Sequence, residues 1–265
     1  MNAPVEAGLA PYVLANTSGG VCTLTLNRGE RFNPLSRPMI AALAAELDRL
    51  AQDRATRVVV LAAEGRGFCA GHDLKEVRAH PDLEWQREMF DACSRMMQKL
   101  TTLPQPVIAR VHGIATAAGC QLVSMCDLAI AADSARFALP GVNIGLFCST
   151  PAVGVARNVS RKRAMEMLLT GEMVDANTAL QWGLVNRVVP AAELDQAVAE
   201  LTARLKAKSA AIIAMGKRAF YAQIDRGLAD AYAQTGEVMA CNALAPEAAE
   251  GIDAFLGKRE PRWTS

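Results

Sequence analysis

Two short stretches of small residues carry the strongest chemical signal in this 265-residue chain. The first is Gly65-Arg66-Gly67-Phe68-Cys69-Ala70-Gly71-His72, and the second is Gly113-Ile114-Ala115-Thr116-Ala117-Ala118-Gly119. Each follows an apolar, β-branched run and precedes a helical stretch. Turns of this kind bare backbone N–H groups, and the N-terminus of the following helix adds partial positive charge. Two such turns brought together would hold a carbonyl oxygen while it gains negative charge. Close helix–strand packing also selects small residues, so pattern alone leaves both readings open.

Other chemistry finds less support. The seven cysteines, at 22, 69, 93, 120, 126, 148 and 241, are odd in number, irregularly spaced and without a CxxC pair. They read as small buried hydrophobes in a reducing compartment, and a cytoplasmic location is expected. No His or carboxylate pair has metal-ligand spacing, so no metal is expected. Lys plus Arg is 28 against 27 for Asp plus Glu, a net charge of +1. That balance argues against general nucleic-acid or membrane-surface binding. No long uninterrupted apolar run predicts a membrane span. The first residues, Met1 to Tyr12, lack the basic start and apolar run of a secretory signal.

Positioning such turns requires an α/β core, and 51% hydrophobic residues can build one. Residues 20–26 read as a strand in a hairpin with residues 12–14. Ser36 caps a helix that has Pro38 just inside its start and runs to about Asp53. Residues 57–63, 106–111 and 127–131 are apolar runs of strand length, of the kind buried on both faces. A helix starts near Asp73, which reads as its cap, and another runs through Leu100. After Pro190 the sequence is Ala-rich and helical. Two parts are expected: residues 1–190 as the α/β core and residues 191–265 as a helical region packed on it or on a neighbouring subunit.

The segment Phe68-Cys69-Ala70-Gly71-His72-Asp73-Leu74-Lys75-Glu76 resembles the F-x-A-G-A-D-[LI]-K-E motif of the crotonase superfamily, the enoyl-CoA hydratase/isomerase family. Gly113 through Asp127 is similar to that family's G-x-A-x-G-G-G-x-x-L-x-x-x-C-D segment. Asn27 to Leu35, Ala164 to Gly171 and Ala179 to Val185 match further family segments in order. The resemblance implies a β-β-α spiral core with a C-terminal α-helical region. It implies an acyl-CoA ligand, no cofactor beyond the CoA moiety, and a homotrimer or hexamer.

Carried over residue by residue, the resemblance makes the backbone N–H groups of His72 and Ala118 an oxyanion hole for the thioester carbonyl. Ala70, Gly71, Lys75 and Gly119 are implied to border the ligand, with Phe255 and Lys258 covering the CoA from a neighbouring subunit. The two glutamates that manage water in the family's hydratases align with Gln121 and Gly141. Gln can orient a water but not accept its proton near pH 7, and Gly offers no side chain. Position 141 should accept an introduced glutamate unless its backbone conformation is one that only glycine tolerates. The nominal activity, enoyl-CoA hydration in fatty-acid metabolism, therefore stands beside two alternatives: a non-catalytic acyl-CoA-binding protein, and another reaction on the same fold such as thioester hydrolysis. Asp127 is expected to support a turn. Glu84 and Glu88 are expected on a solvated helix face, and Cys148 as an inert thiol.

Overall fold

The computed structural model describes residues 10–264. The reading of Met1 to Tyr12 as no secretory signal lies mostly outside the described residues. The chain opens with the antiparallel hairpin of β1 (Val13–Ser18) and β2 (Val21–Leu26), in which Val13 pairs with Leu26. Helix α1 (Arg37–Gln52) follows, and Ser36 Oγ accepts from the Met39 amide at its start. Met39, Leu43, Leu47 and Leu50 are buried along one side of α1, the spacing of a core-facing stripe.

Three passes of the same kind come next. In each, one strand joins a large sheet, a short strand joins a small sheet, and a helix follows. The first pass is β3 (Val58–Ala63), β4 (Gly67–Cys69), α2 (Leu74–Ala79) and α3 (Leu83–Thr102). The second is β5 (Val107–Val111), β6 (Ile114–Thr116) and α4 (Ala118–Met125). The third is β7 (Leu128–Ala132), β8 (Arg136–Ala138), a 3₁₀ turn at Pro140–Ile144 and α5 (Ser149–Val155). This is the β-β-α spiral.

Helix α6 (Arg161–Thr170), strand β9 (Val174–Asp175), helix α7 (Ala176–Trp182) and strand β10 (Arg187–Val189) complete the two sheets. The large sheet runs β1-β2-β3-β5-β7-β10 and the small one β4-β6-β8-β9. From β2 to β10 the large sheet is parallel, and every residue of β3 is buried. A parallel sheet covered on both faces requires such continuous apolar strands. Six of the seven cysteines are buried, and Cys241 is exposed.

The structure corrects the reading of the two small-residue stretches. Each contains a three-residue strand, β4 or β6, rather than a turn throughout, and these strands pair with one another. Three residues are too few for strand periodicity to register in the sequence.

After Pro190 come α8 (Leu194–Lys206), α9 (Ala210–Gln223), α10 (Leu228–Ala243) and α11 (Pro246–Leu256). Helix α8 buries Leu194, Ala197 and Val198 against Val60, Ile130 and Ala132 of the large sheet. No described helix is long and apolar enough to cross a membrane. Helix α9 is pinned by Asp127, in the turn before β7. Its Oδ2 accepts from the Val107 amide at 2.7 Å and from Lys217 Nζ at 2.6 Å, and its Oδ1 accepts from Tyr221 Oη at 2.9 Å. Lys217 also donates to the carbonyls of Leu100 and Gln105 and is only 7% exposed. Asp127 therefore holds structure together, as expected. Removing one partner of a buried pair leaves the other charge uncompensated. Lys217→Met should lower unfolding stability in urea by about 3–5 kcal/mol, whereas Lys99→Met, at an exposed pair with Asp48, should change it by less than about 1 kcal/mol.

Candidate active site

The first and second β-β-α passes meet at Gly71. Its φ is +89°, a left-handed conformation that favours glycine. A Cβ added there would stand 2.9 Å from Ala117 Cβ and 3.2 Å from the Ala118 amide nitrogen. A Cβ on Gly119 would stand 2.1 Å from the Cys69 carbonyl oxygen, so the N-terminus of α4 lies directly on β4. Ala118 is the first residue of α4, where an amide has no intrahelical acceptor. His72 forms a parallel bridge with Leu35, whose amide donates to the Gly71 carbonyl at 2.7 Å. Neither the His72 nor the Ala118 amide has a hydrogen-bond acceptor among the described residues.

Beside this junction is a cavity of about 650 Å³. Ala70, His72, Ala117 and Gly141 line it, with Leu74 and Val77 of α2, Gln86 and Phe90 of α3, and a loop formed by Pro140, Asn143, Ile144, Leu146, Phe147 and Cys148. Thr150 and Pro151 of α5 close it. No Asp or Glu is among these lining residues. The His72 ring stands edge-on to Phe90 at 5.0 Å between centroids. Burial pushes its pKa down to about 4, so the ring is neutral at pH 7.

The site residues expected from the sequence fall into three groups. Ala70, Gly71, His72, Ala118 and Gly141 are brought to the junction or the cavity wall. Gln121 lies one turn into α4, 5% exposed, with Oε1 buried and unpartnered; Gly119 is packed on Cys69, and neither is among the cavity-lining residues. Lys75, Phe255 and Lys258 are not among the cavity-lining residues, and Phe255 is 82% exposed. Arg31 is held by Asp73 at 2.7 Å. Asp73 also accepts from the Lys75 and Glu76 amides and so caps α2. Glu84 pairs with Arg87 and Glu88 with Arg37, both at the exposed surface. Sequence reasoning missed Gln86, Phe90, Asn143 and Leu146. A helix face and an irregular loop carry no periodic mark of what they enclose.

Position 141 follows neither alternative. Its φ is not positive, so glycine is not required by conformation. Nor is the space empty: an added Cβ would stand 2.9 Å from Cys148 Sγ and 3.1 Å from the Leu146 carbonyl oxygen. Cys148 Sγ accepts from the Gly141 amide at 3.3 Å, and burial raises its thiol pKa. The thiol thus fills the place where a side chain at 141 would begin. Gly141→Ala should lower stability by about 1–3 kcal/mol through overpacking. Adding Cys148→Ala should recover at least half of that loss in a double-mutant cycle measured by urea unfolding. Strictly additive effects would contradict this packing.

Residues 16–265 match the family model described as enoyl-CoA hydratase/isomerase. The Xenopus laevis mitochondrial enoyl-CoA hydratase domain-containing protein 3 is 44% identical over 254 residues, covering 96% of this chain and 86% of that protein. Its Homo sapiens counterpart is 42% identical over 245 residues, covering 92% and 81%. A solved Mycobacterium smegmatis enoyl-CoA hydratase superposes with a TM-score of 0.95 at 54% identity, covering 97% of this chain and all (100%) of that one. The human protein's structure gives a TM-score of 0.92 at 42% identity, covering 95% and 100%. Both curated relatives are named as mitochondrial, so the cytoplasmic expectation gains no support from them. The match spans both sheets, both turns and the helices after Pro190, and this chain belongs to the enoyl-CoA hydratase/isomerase family.

Proposed function

We propose that the protein binds an acyl-CoA thioester, with the thioester oxygen between the His72 and Ala118 amides and the acyl chain in the adjoining cavity. The observation that carries this reading is the pair of acceptor-free amides at a glycine-tight contact beside an apolar pocket. Each preorganised donor of this kind is worth roughly 10²- to 10³-fold in rate when it meets a developing oxyanion. The reaction class is that of an enoyl-CoA hydratase/isomerase-type enzyme, with weak or altered hydration. Hydration needs a base for the attacking water and an acid for the adjacent carbon. No carboxylate lines the cavity, and a His72 ring with a pKa of about 4 is a poor base at pH 7.

The same lack of a carboxylate favours one second reading, a protein that binds acyl-CoA without turning it over. Exposed apolar side chains on the late helices, including Leu228, Tyr232, Met239 and Phe255, support assembly into a homotrimer or hexamer. In such an assembly Phe255 and Lys258 would reach a neighbour's CoA.

Crotonyl-CoA tests the proposal in two steps. Binding should be measurable by calorimetry and lost in Ala118→Pro, which removes one amide donor. Hydration should run at least ~10²-fold below that of a two-glutamate relative, the usual effect of losing one acid–base group. Failure to bind any acyl-CoA would defeat the proposal, and hydration at the relative's rate would show that a proton-transfer group has been overlooked.

A further inference from the structure

A second cavity, of about 670 Å³, shares no lining residue with the one beside the junction. Its walls are the segments that lead into β3 and β5 and the first turns of α9, so it stands where those strands begin. The volume is that of a small-molecule site. Three of the lining side chains are charged: Asp53, Arg54 and Arg57. The Asp53 carboxylate is already engaged by its own loop. Its Oδ1 accepts from the Ala55 and Thr56 amides at 2.8 and 3.3 Å, and its Oδ2 from Thr56 Oγ1 at 2.7 Å. The two arginines have no such partner. Arg54 is exposed and makes no hydrogen bond or ion pair among the described residues. Arg57 donates from Nη2 to the Lys208 carbonyl at 2.6 Å, its Nε is closed off from solvent, and its Nη1 is uncommitted.

The uncharged polar groups of the wall are spoken for. Gln105, 6% exposed, gives both N–H groups to the carbonyls of Leu50 and Asp53 at 2.8 Å each, and its Oε1 is closed off from solvent. Thr264 Oγ1 donates to Glu247. The donors left for a ligand are therefore the two guanidiniums, charged at any working pH. The planar fork of a guanidinium matches the edge of a carboxylate. Two positive charges against one negative leave the wall with a single positive charge, which one anionic group offsets. The rest of the wall is apolar, with Pro104, Pro106, Ile213 and Ala214. Inorganic phosphate would leave that surface uncovered, and a neutral alkyl chain would leave the guanidiniums unused.

We propose that this cavity is a second ligand site that takes a free monocarboxylate with a short hydrocarbon body, its carboxylate on Arg54 and Arg57 and its body against Pro104, Pro106 and Ile213. The site stands independently of the acyl-CoA reading, because none of its residues belongs to the junction or to the cavity beside it.

Methyl spectra of protein labelled with carbon-13 at isoleucine report on both cavities, because Ile213 lines this one and Ile144 the other. Ile213→Val and Ile144→Val assign the two signals. The probes are hexanoate, hexanol and inorganic phosphate. Hexanoate should shift the Ile213 methyl and bind about tenfold more tightly than hexanol, the effect of one charge-assisted hydrogen bond, with the margin shrinking as salt is added. Phosphate should bind more weakly than hexanoate, having no apolar body to bury. Arg54→Gln should weaken hexanoate about tenfold and leave hexanol unchanged, and Ala214→Phe should weaken both by filling the space. The wild-type spectra decide the matter even if a variant does not fold. An Ile213 methyl unmoved by hexanoate, or a shift at Ile144 alone, would overturn the proposal. So would hexanol or phosphate binding as tightly as hexanoate, or an Arg54→Gln variant that binds hexanoate like the wild type. None of these outcomes bears on acyl-CoA binding, which the crotonyl-CoA titration reads separately.

Discussion

The contact of Gly71 with Ala117 and Ala118 is the constraint on which the candidate site depends. Two successive β-β-α passes must bring their strand-to-helix junctions so close that a single Cβ on Gly71 would collide with Ala117. The small sheet exists to make this happen: β4 and β6 are only three residues each, and they pair in parallel directly ahead of the two junctions. Ala117 is bent into φ 49°, ψ −121°, a conformation non-glycine residues rarely adopt. Such strain costs of the order of 1–3 kcal/mol. It is held in place by the Ala117 amide on the Ala138 carbonyl and by the Gln121 amide on the Ala117 carbonyl. The two flanking sheets and α4 thus force the backbone into a shape that leaves two amides without acceptors.

What surrounds those amides is electrically quiet. Asp127 is fully engaged with Val107, Lys217 and Tyr221. Asp73 is engaged in capping α2 and pairing with Arg31. Glu84 and Glu88 are exposed and pair with Arg87 and Arg37. His72 is held neutral by desolvation. Its depressed pKa means that folding stability is fully present above the unfolded-state value near 6.5 and falls as pH drops towards about 4, since the unfolded ring binds its proton first. At neutral pH the cavity therefore offers hydrogen bonds and apolar surface but no charge.

Much of this was legible in the sequence. The apolar runs of β3, β5 and β7 announced a buried parallel sheet, because only such a sheet asks for strands apolar on both faces. Ser36 and Asp73 announced helix starts through their capping chemistry. The two junction turns were visible as small-residue stretches, and the resemblance gave them a chemical meaning. Illegible were β4 and β6, too short for a period, and the cavity wall from Gln86 to Phe147, which comes from separate elements meeting in space. The Cys148 thiol occupying the space beside Gly141 was equally hidden. A seven-residue separation in an irregular loop does not reveal that one side chain fills another's place.

In the proposed complex, two backbone amides polarise a thioester carbonyl in a cavity lined by no charged side chain. Isotope-edited infrared difference spectroscopy of butyryl-CoA labelled with carbon-13 at the thioester carbonyl measures that polarisation on the bond itself. Two convergent N–H donors in a low-dielectric site should move the carbonyl stretch of the bound ligand to lower frequency than that of the same ligand free in water. A stretch that is unchanged on binding, or that rises as it would on transfer to an apolar site without donors, would contradict the account.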